Sequence, residues 1–140
     1  MSKLKIRGFE EHVDVPVTVE LIDDVDVEFV VKFKRLDRKK LEKVVKEVRA
    51  RAIEGRDLEQ KKLIAKKEEA ADFDKKIDKL NSQSNDTLIE GIVSWSEFYD
   101  EDDNEVPFSR ANLKQVLDHP AYLQAIDLAF WRATGERIKN

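Results

Sequence analysis

From Val13 to Phe33 the odd-numbered positions are apolar: Val13, Val15, Val17, Val19 and Leu21, then Val25, Val27, Phe29, Val31 and Phe33, with Asp23 between the two sets. Within the two sets, 13–21 and 25–33, the even positions are polar or Pro apart from Val30. Strict period two in β-branched and aromatic residues puts all of them on one face only in a strand, so two half-buried strands are expected. Parity then sets the register. Directly opposed residues of an antiparallel pair share a face, so the odd sets must meet each other, as Val17 with Phe29 and Leu21 with Val25. A two-residue loop at Asp23-Asp24 would oppose apolar to polar positions, so the loop should hold three or five residues centred on Asp23. Pro16 donates no amide hydrogen and places the first strand at a sheet edge. The short KLKIR at 3–7 offers a third strand.

At Asp37, a candidate N-cap, the period changes. Leu41, Val44, Val45, Val48 and Ala52 fall on one helical face. Gly55 is expected to interrupt or kink this helix. A second helical segment runs from about Asp57 to Leu80, with Ala70, Phe73, Ile77 and Leu80 spaced three, four and three. Two turns of such spacing read as a helix packed on its own domain rather than a coiled coil. NSQSND at 81–86 reads as a linker. Asp86 would then cap a short helix that turns Leu88, Ile89, Ile92, Val93 and Trp95 inward, in preference to a strand. Two more helices follow. Ser109 caps the first, with Phe108 and Leu113 in the hydrophobic staple positions. Pro120 opens the second, whose broad apolar face holds Tyr122, Leu123, Ile126, Ala129, Phe130 and Ala133, and Gly135 stands at its C′ position. The expected fold is α+β: a single domain over 1–140, with a β-rich part at 1–36, a long charged helical part at 37–82 and a C-terminal helical part at 83–140.

Charged residues make up 40% of the chain, against about 25% in ordinary globular proteins. The net charge of −4 is unevenly placed. Residues 38–80 hold 15 Lys and Arg against 10 Asp and Glu, a balance of +5; the remainder holds 11 against 20, a balance of −9. That asymmetry favours self-association or docking of opposite patches. There are no cysteines, so disulfide and thiolate chemistry are excluded. The start MSKLKIRGFEEH lacks the apolar core of a secretory signal, and no apolar run approaches a membrane span. A soluble, cytoplasmic protein without a membrane partner is expected.

The densest acidic run, Asp100 to Glu105, invites a calcium reading. Asp100, Asp102 and Asn104 match the first three ligand positions of an EF-hand loop, but the required Gly is Glu105 and the bidentate Glu is Ala111. The two histidines, His12 and His119, have no partner in a metal or nucleophile pattern, and no Gly-rich phosphate loop is present. The reading is a non-enzyme without cofactor or metal. The basic clusters RLDRKK and QKKLIAKK are interleaved with Glu42, Glu47, Glu54, Glu59, Glu68, Glu69, Asp72 and Asp74. This spacing reads as a salt-bridged solvated helix rather than a strip for nucleic acid. Seven of the eleven aromatic residues fall between Trp95 and Trp131. Such a set usually builds a core, with some members left to anchor a partner. Phe130 is assigned to the core, and Trp95, Tyr99 and Trp131 are the candidate partner-binding residues.

Taken in order, FVVKFKRLDR leading into a charged helix, LIEGIVSW, an acidic turn and VPFSRANLKQVLDHPAYLQAIDLAFW resemble the tail assembly chaperones of long-tailed, siphovirus-type bacteriophages and prophages. The resemblance runs from about residue 29 onward. It is best from Trp95 through Pro107-Phe108-Ser109 to the helix after Pro120. One departure is the turn, where a Gly is expected and Asn104-Glu105 stands; Asn tolerates a left-handed backbone. The resemblance implies a late, non-enzymatic protein of virion morphogenesis in the host bacterial cytoplasm. It would bind the tape measure protein, keep it soluble, help recruit the major tail tube protein and leave before the virion is complete. A homo-oligomer and a longer frameshifted form are further implications. Two alternatives stay open: a phage or bacterial structural or adaptor protein that remains in its assembly, and a nucleic-acid-binding regulator.

Overall fold

The computed structural model describes residues 10–23 and 25–135. In chain order the elements are β1 (His12–Glu20), β2 (Asp26–Lys34), α1 (Arg38–Ile64), α2 (Lys67–Gly91), β3 (Ile92–Ser96), α3 (Arg110–Leu117) and α4 (Pro120–Ala133). The fold is α+β. The chain divides into two compact units. The sheet, α3 and α4 belong to one; Asp37–Thr87, with α1 and most of α2, is the other.

β1 and β2 pair antiparallel with Val17 opposite Phe29 and Val19 opposite Val27. Glu20 faces Asp26, which leaves a five-residue loop centred on Asp23, as parity requires. Among the described residues the sheet order is β1-β2-β3, with Pro16 on an edge strand. The segment proposed as a third strand, residues 3–7, lies outside the described residues; the third strand seen is β3.

β3 corrects the reading of residues 86–95 as one helix. Helix ends at Gly91, and Ile92–Ser96 pairs antiparallel with β2. Trp95 stands opposite Val31, Ile92 opposite Phe33, and the register shifts between Lys32 and Phe33. Val93 is the extra residue. This bulge turns Ile92 and Trp95, three apart, onto the same buried face, a spacing that imitates a helix. β2 supplied what the local pattern omits, an open sheet edge.

The inward odd-numbered residues Val15, Val17, Val19, Phe29, Val31 and Phe33 are buried, and α4 packs on β1 and β2 through a face that buries Ile126, Ala129 and Phe130. Leu113 and Leu117 of α3, beside α4, complete this core, and no polar or charged residue is buried among the described residues. The caps follow the sequence reading. Ser109 accepts from the Asn112 amide at 3.0 Å, Pro120 opens α4, and Gly135 follows the Thr134 C-cap with φ +81°.

The second unit is an antiparallel helical hairpin. Asp37 caps α1 by accepting from the Lys40 amide at 2.9 Å. Arg51 donates to the Thr87 hydroxyl at 2.9 Å, and Lys62 meets Asp74 at 2.6 Å near the turn. Two expectations fail here. Gly55 does not break α1; the hydrogen-bond ladder runs through it, and a Cβ there would make an ordinary 3.7 Å contact with Leu80 Cδ1. The break comes at Ala65, ten residues later. Nor is 81–86 a linker, because α2 runs through it to Gly91. The stretch is polar but free of Gly and Pro, and helix formation costs such residues well under about 1 kcal/mol each. Apart from the half-buried Asn85 its side chains are solvent-facing, and the Thr87 hydroxyl donates back to the Gln83 carbonyl at 3.1 Å.

Candidate partner-binding surfaces

Trp95, Phe98, Phe108 and Tyr122 collect around Phe29 of β2. Phe98 stacks on Phe29 at 4.2 Å and lies 5.1 Å from Trp95, and Tyr122 of α4 stacks on Phe98 at 6.0 Å. Phe108 meets Trp95 edge-on at 5.0 Å. Trp95 is buried, and its indole N–H donates to the Val106 carbonyl at 2.8 Å. The candidate contact Trp95 is therefore a core side chain, packed against Phe29, Phe98 and Phe108. An indole needs one acceptor when buried, and the chain after the acidic turn supplies it. Tyr99 is 52% exposed, and Trp131 is half-buried with its ring edge-on to Phe130 at 5.1 Å. The two do not share a patch. Tyr99 neighbours Phe98 at the Phe29 end of β2, whereas Phe130 beside Trp131 sits against Phe33. Tyr122 and Phe130 are eight residues apart along α4, about 12 Å.

The acidic run is a turn closed on itself. The Asp100 carboxylate accepts from the amides of Asp102 at 2.9 Å and Asn104 at 3.0 Å, and the Val106 amide donates to the Phe98 carbonyl at 2.8 Å. The left-handed residue is Asp103, with φ 58°, one place before the Asn104 expected there. Asp tolerates this region for the same reason as Asn, a short polar side chain. Among the described residues no group of three or more His, Asp or Glu is placed to hold a metal ion. His119 caps α4, its Nδ1 accepting from the Ala121 amide at 3.2 Å. Burial raises the Tyr122 phenol above its usual range. Burial likewise raises the Asp127 carboxyl, although the residue as a whole is exposed; a hydrogen bond from Trp131 works the other way.

A surface that the sequence reading did not find lies on the helical hairpin. A groove of about 550 Å³ runs between α1 and α2 over a floor of Leu58 and Leu80. Its rim is charged: Glu54, Asp57 and Lys61 from α1, Lys76 and Lys79 from α2. Lys61 is bound to Asp57 at 3.0 Å. Leu58 and Leu80 are the buried apolar residues of the hairpin, while Val44, Val45, Val48, Phe73 and Ile77 are half-buried. The signal was available. Reading Gly55 as part of the stripe continues Val48 and Ala52 through Gly55 to Leu58, at steps of four, three and three.

Ile53, Leu63 and Ile64 of α1 are exposed at 68%, 85% and 88%, and Ile22 and Val25 are exposed at the β1–β2 loop. No described helix is long and apolar enough to cross a membrane. Comparison of the chain with protein-family models, characterised proteins and solved structures finds no match.

Proposed function

We propose that this protein is a tail assembly chaperone of the kind made by long-tailed bacteriophages and prophages, a non-enzymatic holder of the tape measure protein that helps bring tail tube subunits to it. The observation that carries this reading is the hairpin groove, an apolar floor at Leu58 and Leu80 between charged rims. A long helical client offers the matching shape: an apolar stripe to lie on the floor and charged flanks to meet the rims. With a floor of two leucines, each copy contributes modest affinity, and a holder acts through many copies spaced along one client. Release then requires no chemistry, only loss of a set of weak contacts.

Co-expression with the tape measure protein of the same phage tests it. The wild-type chain should raise the soluble fraction of that client and co-purify with it. Replacing Lys76 and Lys79 with Glu, both exposed, should lower recovery of the client about tenfold while leaving the fold intact. Failure of the wild-type chain to solubilise or retain the client overturns the proposal. Retention of the chain in finished tails would instead make it a structural component.

A further inference from the structure

The two walls of the hairpin groove carry unlike charges once their internal pair is set aside. Glu54, Asp57 and Lys61 stand on the α1 wall, and Lys76, Lys79 and Gln83 on the α2 wall. Lys61 binds Asp57 at 3.0 Å along α1, so these two offset each other. What is left is Glu54 on one wall and Lys76 with Lys79 on the other. None of the three has an ion-pair partner among the described residues. The Lys76 ammonium lies 5.8 Å from the centre of the Phe73 ring. All three side chains are exposed, above a floor of buried leucines. The groove also has two distinguishable ends. Lys62 meets Asp74 near the α1–α2 turn, Gly55 lies beside Leu80, and Arg51 reaches Thr87 at the far end. Lys61 and Lys76 therefore mark the turn end, and Glu54 and Gln83 the far end, about 10 Å away along α1.

A helix lying in such a groove presents an apolar stripe to Leu58 and Leu80 and one flank to each wall. Bases suit the flank that faces Glu54, and acids suit the flank that faces Lys76 and Lys79. Turning the helix end for end, with its stripe still on the floor, exchanges the two flanks. A helix with unlike flanks is thus matched in one direction and opposed, acid to acid and base to base, in the other. We propose, building on the groove as the seat of a helical client, that it takes a helix with one acidic and one basic flank and fixes the direction in which that helix runs between α1 and α2. A client whose successive segments share one flank pattern would then hold every bound copy pointing the same way.

Synthetic helical peptides of about 20 residues test this on the full chain. All share one leucine stripe. Two are isomers with Glu on one flank and Lys on the other, exchanged between them; two more carry only Glu or only Lys on both flanks. Each bears a photoreactive group at its N-terminus. At low salt the two isomers should bind about equally, and at least about threefold more tightly than either single-sign peptide. Cross-links mapped by mass spectrometry should fall at the α1–α2 turn for one isomer and beside Arg51 and Gln83 for the other, each at least about tenfold over the opposite end. The variant Glu54→Lys with Lys76→Glu and Lys79→Glu, its fold checked by circular dichroism, should exchange the two results. Cross-links at both ends for each isomer, the same end for both, or isomers that bind no better than the single-sign peptides each overturns the proposal. The peptides stand apart from the tape measure protein, so the two proposals fail separately. A chain that retains that client yet shows no direction overturns this one alone; a chain that shows direction yet fails to hold the client overturns the chaperone reading alone.

Discussion

A methyl group added at Gly91 would sit 2.9 Å from Cε2 of Phe130, a ring that is 3% exposed and held between Phe33 and Trp131. That ring has nowhere to retreat, so Gly91→Ala should destabilise by about 1–3 kcal/mol, although Ala is the better helix former. At Gly55 the same methyl meets Leu80 Cδ1 at 3.7 Å, an ordinary contact. Gly55→Ala should therefore stabilise by about 0.5–1 kcal/mol through helix propensity alone. Urea unfolding of the two variants should move the midpoint in opposite directions. Asp127 provides a second test. Its carboxyl is raised by burial, so the folded state binds that proton more tightly than the unfolded chain does. Stability then falls as pH rises from the unfolded carboxyl's value through the higher folded one, and the deficit persists at neutral pH. Asp127→Asn should relieve it, gaining under about 1 kcal/mol at neutral pH because the group is partly solvated. At pH below the unfolded carboxyl's range the gain should vanish, as thermal unfolding against pH would show.

The legible elements are those whose pattern and end signals agree. β1 and β2 were readable to the residue because parity ties register to burial, so a slip by one would have turned every valine outward. α3 and α4 were readable from caps: Ser109, Pro120 and Gly135 each occupy a position that only a helix end needs. Ser109→Ala should cost about 1 kcal/mol by freeing the Asn112 amide, and a fall in thermal midpoint with an unchanged folded-state spectrum would check it. β3 was not readable, because its bulge at Val93 produces the three-residue spacing of a helix. The length of α2 was not readable either, since a polar stretch without Gly or Pro is equally suited to a linker and to a solvated helix.

Across the whole molecule burial is unequal. Among the described residues the sheet unit encloses aromatic and aliphatic side chains from β1, β2, β3, α3 and α4, while the hairpin buries only Leu58 and Leu80. The ion pairs of α1 and α2 are solvent-exposed and add little to stability. The hairpin should therefore open more readily than the sheet. Native-state hydrogen exchange is expected to show amides of α1 between Val44 and Leu58 at least about tenfold less protected than those of β2 and the middle of α4. Equal protection in both units would mean that they unfold as one.

Short-range physics was enough to derive the α+β class, the β1–β2 register with an odd-length loop centred on Asp23, the edge position of Pro16 and the helix caps, since each depends on neighbours in sequence; the choice of five residues over three was left to the structure. The same reading placed Phe130 in the core and left Trp95 among the surface candidates. Trp95 went inside because β2 offered a free edge and Val106 an acceptor, both remote from it in the chain. The groove over Leu58 and Leu80 likewise exists only once α1 and α2 fold back on each other, which brings residues 22 apart onto one floor. Such long-range pairings bury surface that no local pattern announces, and for this protein they decide which side chains remain available to a partner.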